Sequence, residues 1–485
     1  MRRSSWPLAV IVAAVALIAL AGLNAAGCGE SEESSAPPRS RNVVVVMTDD
    51  QEAESVRFLP HVARMARRGT TFREFFATTP LCCPSRASFL TGKYSHNHEV
   101  LGNRLPDGGF QAFDGSDTLA VWMRQAGYRT AHIGRYLNNY GAPNHPGDPK
   151  EVPPGWDVWE VPVLDTEFQM FNYTLNENGD LRDYGSRPRD YQTDVLARKA
   201  VGFVEEEAGR GRPFFLSVAT LAPHDEGVLE GVDAARNPRP APRHRGTFSD
   251  QPLPRPASFD EAAIEDKPPR VRNVPRLSPT AIEQMERAYR SRLESLLAVD
   301  EMVADLVGAL RRAGELEDTL FLFTSDNGYL LGQHRVRGKA SQYEEAIRAP
   351  LVIAGPGFPA GAKRHQPSAN VDLAPTILEV TGVRASEELD GASLVPVAND
   401  SATGSKRTLL LEMLTKHKFV GVHTDRFVYV EHENGPVELY DLHRDPHQLR
   451  NVADDRRYSR VRARLAERLE ALRDCAGVAC RPGAG

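Results

Sequence analysis

Cysteine is scarce in this sequence: five of 485 residues are cysteines, and two of those five are neighbours, Cys82 and Cys83. Neighbouring cysteines are poorly placed to bond each other, because a disulfide needs a geometry that adjacent residues rarely reach. Thiols buried only for packing would not need the flanking sequence "PLCCPSR". Both ordinary explanations are weak, so the pair predicts a reactive sulfur.

Neither positive nor negative charge predominates in the sequence. Lysine and arginine total 59, and aspartate and glutamate total 65, which gives a formal net charge of -6. The basic residues are spread along the chain apart from short local groups, so nothing indicates a nucleic-acid-binding surface. A chain of this length predicts one large α/β domain with an appendage, or two comparable domains.

A long apolar run covers residues 8–23, after "MRR" and before "NAAGC". A basic start, an apolar middle and small residues at the end are typical of a secretory signal, so residues 1–28 are predicted to be a signal peptide. A membrane anchor is the alternative, although a span normally takes about 20 apolar residues. The end of the segment also resembles a bacterial lipobox, with Ala25 in place of the usual leucine, which leaves lipidation of Cys28 open.

Export would place the protein in an oxidising compartment. Residues 29–41 are rich in Ser, Glu and Pro and are predicted to be a disordered tether. Cys475 and Cys480 are spaced to close a small loop, and an oxidising compartment permits that disulfide. Cys82 and Cys83 then remain, and chemistry or burial must explain at least one of them.

Short β-branched runs recur along the chain, beginning with "NVVVVMTDD" at 42–50, which has the composition of a strand buried in a parallel sheet. Similar runs occur at 128–134, 213–224, 319–328 and 349–357. Helical patterns lie between them, such as "TLAVWMRQAG" and a helix that Ser278 caps and Pro279 begins. The alternation predicts a doubly wound, mostly parallel α/β domain over residues 42–384.

The pattern changes after about residue 385, where strand-like runs alternate with the turns "HTD" and "ENGP" and indicate an antiparallel meander. With an amphipathic helix predicted at 459–473, residues 385–485 are predicted to form a smaller α+β domain. The segment from Asp225 to Pro275 is rich in Pro and Arg and has little periodicity. A loop of that length either shapes access to a functional site or pads the surface.

Three of the five runs end in polar residues: Asp49-Asp50, His224 and Asp326-Asn327. Ligands of doubly wound sheets bind beyond the carboxyl ends of the strands. Three carboxylates gathered there would repel one another unless a cation lay among them, and all-oxygen ligands favour Ca²⁺ or Mg²⁺ over zinc. The alternative is that the acidic pairs are helix caps that never meet.

Cys82 is expected just before a helix that begins at Pro84, where the helix N-terminus would lower the pKa of a thiol and attract an anion. Arg86, in the first turn, adds a positive charge suited to sulfate or phosphate. A thiolate is nevertheless a poor partner for a hard cation. This mismatch indicates that the sulfur is not the working atom.

The stretch "CCPSRASFLTGK" resembles, over its whole length, the signature of the type I sulfatases in the alkaline phosphatase superfamily. In that family a maturation enzyme reads Cys-x-Pro-x-Arg and oxidises the first cysteine to Cα-formylglycine. The resemblance implies that Cys82 is converted and that Cys83 is a small buried residue at the variable position.

The resemblance extends over about residues 42–455. It includes "VVVVMTDDQ", "FTSDNGYLLGQHR", "GKASQYEEAIRAPLVI" and "ELYDLHRDPHQLRNVADD". The segments "PLCCPSR" and "GRYLNNYG" most resemble the branch that contains N-acetylglucosamine-6-sulfatases and related arylsulfatases.

The resemblance also implies a mechanism. A divalent ion, Ca²⁺ by analogy or Mg²⁺, would contact the hydrated aldehyde at residue 82 and be held by four residues: Asp49, Asp50, Asp326 and Asn327. The ion and Arg86 would favour one hydroxyl as the oxyanion that attacks sulfur. Lys339 and His224 would bind the sulfate oxygens, with His224 as a proton donor. The second hydroxyl would then expel sulfate, a route closed to an unmodified serine or cysteine.

One segment departs from the family pattern. Many members carry Gly-Lys-Trp-His-Leu-Gly where this chain has "GRYLNNYG". Arg135 keeps the positive charge of the lysine, but Leu137 replaces the histidine, so the base that triggers sulfate release is not assigned. Three histidines are candidates for that base or for substrate contact: His96, His98 and His334.

Two other functions remain open on the sequence alone. One is a hydrolase of the same superfamily acting on phosphate or phosphonate esters, and the other is a non-maturing surface protein that binds sulfated glycans. A structural lipoprotein fits poorly with so many polar strand ends. The expected partners are a sulfated small-molecule or glycan substrate and the maturation enzyme, with no nucleic acid, and with membrane contact only through a lipid on Cys28.

Overall fold

The computed structural model describes residues 42–143, 147–227, 237–415, 417–481 and 483. These residues belong to one compact unit. The predicted signal peptide, the tether and Cys28 lie outside the described residues, so those three predictions are not tested. Within the described ranges, no helix has both the length and the apolar character needed to cross a bilayer.

The described ranges contain eighteen strands, numbered β1 to β18 in chain order: Asn42–Thr48, Gly69–Phe72, Phe75–Phe76, Arg129–Gly134, Val158–Val163, Tyr173–Glu177, Asp180–Tyr184, Phe214–Ala219, Thr319–Ser325, Leu330–Leu331, Arg337–Gly338, Leu351–Ala354, Ala362–Arg364, Ser368–Ala369, Leu409–Met413, Phe419–His423, Phe427–His432 and Glu438–Asp441. The same ranges contain eleven α-helices, α1 to α11: Pro60–Arg68, Cys82–Thr91, Ser95–His98, Leu119–Gln125, Gln192–Glu207, Pro269–Arg272, Pro279–Arg312, Glu344–Ile347, Leu373–Thr381, Val395–Asn399 and Ser459–Leu472.

Ten of these strands form one mixed sheet in the order β13-β2-β12-β9-β1-β8-β4-β5-β6-β7. Its centre, from β9 to β5, is parallel throughout. The strand found within the predicted run 349–357 is β12, which runs antiparallel to β9, so the expectation of a parallel direction is wrong for this strand. The predicted doubly wound, mostly parallel α/β class is confirmed.

Strand β1 shows why helices cover both faces of the sheet. Val43 to Val46 are all fully buried, and alternate side chains point to opposite faces. Val43 and Val45 join a core with residues of α2, α4 and α9, whereas Val44 and Val46 join a core with residues of α1, α5 and α7. A strand buried on both faces reads as a continuous apolar run, and this run is what the sequence displays.

The sequence predicted the first residue of one helix correctly and that of another two residues too late. Helix α7 begins at Pro279, and the Ser278 hydroxyl accepts a hydrogen bond from the Ala281 N–H at 3.2 Å, as predicted. Helix α2 begins at Cys82 rather than at Pro84, because Leu81 is the extended residue before the first turn. Pro84 therefore lies inside the first turn, where its missing N–H costs no helical hydrogen bond.

The small antiparallel sheet predicted near the C-terminus is present, in the order β15-β16-β17-β18. Helix α11 follows it at Ser459–Leu472 and packs on β16 and β17. The predicted disulfide between Cys475 and Cys480 is also present. The domain boundary at 384/385 stays a prediction, since these strands begin only at Leu409.

Candidate active site

The two acidic pairs meet at the carboxyl ends of neighbouring strands. Asp49 and Asp50 follow β1, and Asp326 and Asn327 follow β9, which pairs with β1 so that Thr48 lies beside Ser325. The Asp50 N–H donates to Asp326 Oδ1 at 3.1 Å, and Asn327 Nδ2 donates to Asp50 Oδ1 at 2.6 Å. One oxygen of each aspartate lies within 4.8 Å of the others. The alternative, separate helix caps, is excluded.

These residues fit a hard divalent cation. The Asn327 Oδ1 atom is buried and has no hydrogen-bond partner among the described residues, although Nδ2 of the same amide is fully engaged. A buried carbonyl oxygen without a partner is costly unless a ligand satisfies it. Three carboxylates and one amide oxygen are the donor set that Ca²⁺ or Mg²⁺ prefers.

Arg86 joins two of the carboxylates from α2. Its Nε donates to Asp326 Oδ2 at 2.9 Å and its Nη2 to Asp49 Oδ2 at 3.0 Å. Its Nη1 donates to the backbone carbonyls of Arg135 and Tyr136. Four hydrogen bonds inside the protein thus hold this guanidinium, which positions the aspartates. Its action on a substrate anion stays a prediction.

Arg135 and Lys339 are the other buried cations of the site. Arg135 follows β4 and pairs with Asp49, and its Nη2 donates to Asn138 Oδ1 at 3.0 Å. Lys339 pairs with Asp50 and lies 2.8 Å from the Cys82 sulfur. Burial alone would lower the pKa of Lys339, but Asp50 and neighbouring acidic groups raise it above its usual value.

Cys82 lies at the first turn of α2, almost fully buried at 1% exposure. Its thiol donates to Asp49 Oδ1 at 3.7 Å, on the acidic side of the site. Burial raises the pKa of Cys82 to about 12, although the Lys339 cation lowers it. The expected lowering of the thiol pKa by the helix N-terminus is therefore wrong, because loss of hydration dominates. A neutral thiol is a weak nucleophile, which agrees with the inference that the sulfur is not the working atom.

His224 follows β8, and its Nε2 lies 3.6 Å from Asp50 Oδ2. Its Nδ1 is 2.7 Å from the Asp225 carbonyl, which accepts the Nδ1 proton and leaves Nε2 as an acceptor. Burial, together with the Lys339 and Arg135 cations, lowers the pKa of His224 well below its usual value. The role of His224 as a proton donor stays a prediction.

These groups open onto a cavity of about 530 Å³ whose wall includes Cys82, His224 and Lys339. Arg270 of α6 also lines it and donates from Nη2 to the Lys339 carbonyl at 3.2 Å. The segment from Asp225 to Pro275 therefore reaches the site, as one of its two interpretations predicted. A larger cavity of about 680 Å³ contains none of the site residues.

Several candidates lie elsewhere. Cys83 is fully buried and bonded to Asn138, and Leu137 is part of the apolar core. Three histidines do not line the cavity: His96, His98 and His334. Both ring nitrogens of His96 and of His98 are hydrogen-bonded inside the protein, to Glu412 and the Cys475 carbonyl and to Ser88 and the Val100 N–H. His334 Nδ1 lies 2.7 Å from Glu261, whereas its buried Nε2 has no hydrogen-bond partner among the described residues. These contacts fit a structural role, and the role of base or substrate contact stays a prediction.

Arg292 is a site residue that the sequence did not indicate. It is fully buried in the middle of α7, and its Nη2 donates to the Asp50 carbonyl while its Nη1 donates to the Pro223 carbonyl. Its Nε donates to Glu52 at 2.8 Å. One side chain thus ties the loop after β1, which carries Asp49 and Asp50, to the loop that carries His224.

The fold and the site define a class: a doubly wound α/β hydrolase with a hard-cation site beside buried cations suited to an anionic ester. A family model described as "Sulfatase" matches residues 41–383, and one described as "N-sulphoglucosamine sulphohydrolase, C-terminal" matches residues 332–475. The chain belongs to the sulfatase family, whose members are sulfuric ester hydrolases, and the predicted family is confirmed.

The relatives agree with this assignment. The N-acetylglucosamine-6-sulfatase of Homo sapiens is 32% identical over 499 residues, which cover 93% of this chain and 87% of the relative. An extracellular sulfatase Sulf-1 homolog of Caenorhabditis elegans is 35% identical over 73% of this chain, which spans 48% of that relative's length. The structure of BT4656 in complex with its substrate D-glucosamine-2-N,6-O-disulfate superposes with a TM-score of 0.74 at 26% identity, covering 89% of this chain and 97% of that one.

Proposed function

We propose that this protein is an exported sulfatase that hydrolyses sulfate esters of sugars, with residue 82 matured to formylglycine. The observation that carries the proposal is the position of Cys82, whose sulfur lies 2.8 Å from Lys339 Nζ and 3.7 Å from Asp49 Oδ1 at the wall of the cavity. A group at this position meets both the cation site and the ammonium that would bind a sulfate oxygen.

The charges of the site support an anionic substrate together with a bound dication. Three carboxylates face three buried cations: Asp49, Asp50 and Asp326 face Arg86, Arg135 and Lys339. The charges of these six groups cancel, so a sulfate monoester requires additional positive charge. Ca²⁺ held by the three carboxylates and the Asn327 amide oxygen would provide it. An ion held there would supply Lewis-acid chemistry beside residue 82, whose hydrated aldehyde would provide the attacking hydroxyl.

The side chains of the protein would bind the sulfate, hold the metal ligands in place and move a proton. Lys339 would hold a sulfate oxygen through its ammonium, and Arg86 would keep Asp49 and Asp326 at a fixed separation. His224 would hold or move a proton at Nε2.

The substrate is proposed to be a sulfated hexosamine such as N-acetylglucosamine 6-sulfate. The volume of the cavity suits a small ligand. The names of the human relative and of the BT4656 ligand both point to sulfated glucosamines. Maturation by a formylglycine-generating enzyme and export, with a lipid on Cys28 as an open addition, complete the proposal.

Paired kinetics test this function. Matured wild type should turn over 4-nitrophenyl sulfate with a kcat/KM far above that for 4-nitrophenyl phosphate, and Cys82→Ala should lose both activities. Equal sulfate turnover by Cys82→Ala would end the formylglycine proposal. A preference for phosphate or phosphonate would favour the related ester hydrolase, and binding of sulfated glycan without turnover would favour the non-maturing binder.

A further inference from the structure

A carboxyl group without an assigned role lies in the wall of the active-site cavity. Glu167 is only 7% exposed, it lines the cavity, and its Oε2 atom has no hydrogen-bond partner among the described residues. Burying a polar oxygen without a partner is costly, and most buried polar atoms in proteins are satisfied. An oxygen in this position is suited to a hydrogen bond from a bound ligand.

The position of Glu167 is fixed by its neighbour Phe168. The Phe168 ring lies 5.1 Å from the ring of His224 and 4.6 Å from Cζ of Arg135, so it packs between two residues of the site. The Phe168 carbonyl also accepts a hydrogen bond from the Gly227 N–H at 3.1 Å. This packing fixes the position of Glu167 relative to His224 and Arg135.

The turn that delivers Glu167 is unusual in its backbone. Leu164 and Asp165, directly after β5, both have left-handed φ values, 61° and 58°. A branched residue such as leucine rarely adopts this conformation, and strain of this kind persists where the surrounding structure enforces it, often at ligand sites. The Thr166 hydroxyl donates to the Val163 carbonyl at 2.5 Å, which closes the turn.

We infer that Glu167 is a specificity-determining residue whose Oε2 accepts a hydrogen bond from a hydroxyl or N–H group on the sugar that carries the sulfate. This inference rests on the proposed function. A site built to accept such a bond rejects analogues that lack the donor, because the buried acceptor is then left unpaired. Burial raises the pKa of Glu167, while hydrogen bonds from backbone N–H groups and the Arg135 cation lower it.

The test compares substrates with and without the donor. Matured wild type, Glu167→Met and Glu167→Gln are assayed with 4-nitrophenyl sulfate, which has no ring hydroxyl, and with a panel of 6-sulfated glucose, glucosamine and N-acetylglucosamine. We expect the preference for the best sugar over the aryl sulfate, as a ratio of kcat/KM, to fall about 30- to 100-fold in Glu167→Met. Glu167→Gln keeps an acceptor oxygen and should lose about three- to tenfold.

The controls separate this inference from the proposed function. Asp180→Asn, an exposed carboxyl change on β7, should keep the wild-type preference. Equal losses on both substrates would overturn the inference, because a proton-transfer or structural role affects both alike. If Glu167→Met does not fold, an unchanged preference in Glu167→Gln overturns it. Wild type that cleaves the aryl sulfate but no sugar of the panel would overturn the inference and the proposed sugar substrate but would leave the sulfatase activity. No turnover of either kind would remove the proposed function itself.

Discussion

The guanidinium of Arg86 donates from Nε to Oδ2 of Asp326 across 2.9 Å, and both side chains are buried. The same guanidinium reaches Asp49 at 3.0 Å, so it sets the separation of two proposed metal ligands. Groups that orient metal ligands typically account for about 10- to 100-fold in metal affinity.

We therefore expect Arg86→Lys to weaken Ca²⁺ binding by about 10- to 100-fold, because lysine keeps the charge but cannot bridge two carboxylates. The measurement is calorimetric titration in a Cys82→Ala background, which removes any effect of Arg86 on maturation. Arg182→Lys, a change at an exposed arginine, is the control. Unchanged Ca²⁺ affinity in Arg86→Lys would show that the bridge does not order the site.

Removing the bound metal should lower the stability of the folded protein, and this effect should require Asp326. A ligand that binds only the folded state stabilises it by about 2.7 kcal/mol when its free concentration is about 100 times Kd. Ca²⁺ should therefore raise the melting temperature of the wild type, and EGTA should reverse the shift. Asp326→Asn should lose most of this response, and Asp454→Asn, at a fully exposed side chain, should keep it. Equal Ca²⁺ shifts in both variants would place the ion elsewhere.

A buried ion pair outside the site should carry much of the stability near the small domain. Arg407 donates to both carboxylate oxygens of Asp372 at 2.5 and 2.6 Å, and both residues are buried. Arg407→Met leaves a buried carboxylate unpaired, so we expect a loss of about 3–5 kcal/mol in the free energy of unfolding. Urea unfolding measures it, with exposed Arg384→Met as the control. A loss no larger than that of the control would contradict the prediction.

Stability should also depend on pH through His96. Burial alone would lower the pKa of His96, but its hydrogen bond to Glu412 at 2.7 Å raises it to about 9. A raised pKa favours the folded state at low pH, so this contribution is complete below about pH 6.5 and is lost as the pH rises through about 9.

Melting temperatures of wild type and His96→Gln from pH 6 to 10 check this sign. The advantage of the wild type should be largest at the acidic end and should shrink steadily towards the alkaline end. An advantage that stays constant, or that grows with pH, would show that protonated His96 does not stabilise the fold.

The cluster of proposed metal ligands was predictable because of the sheet. Asp49-Asp50 and Asp326-Asn327 each follow an apolar run, and neighbouring parallel strands bring their carboxyl ends to one edge. Cys82 and Arg86 were found through a motif whose spacing is read directly from the sequence. The acidic residues after each apolar run and the cysteine motif can both be read from short stretches of sequence. The parallel strand order that brings them together is common in doubly wound α/β folds.

Glu167 and Arg292 could not be predicted in the same way. Glu167 lies in a turn without periodicity, and only the folded chain brings that turn to His224. Arg292 occupies one position of a 34-residue helix rich in charged residues, and the sequence does not show which arginine is buried. The hairpin between β6 and β7 was missed although Asn178-Gly179 signals it, with φ values of 55° and 97°.

The central claim is that residue 82 works as an aldehyde. Mass spectrometry of the tryptic peptide 74–86, from a preparation that hydrolyses 4-nitrophenyl sulfate, tests it most directly. The account predicts the mass of formylglycine at residue 82, in a fraction that rises with specific activity. A fully active preparation in which the peptide carries only the cysteine thiol would contradict it.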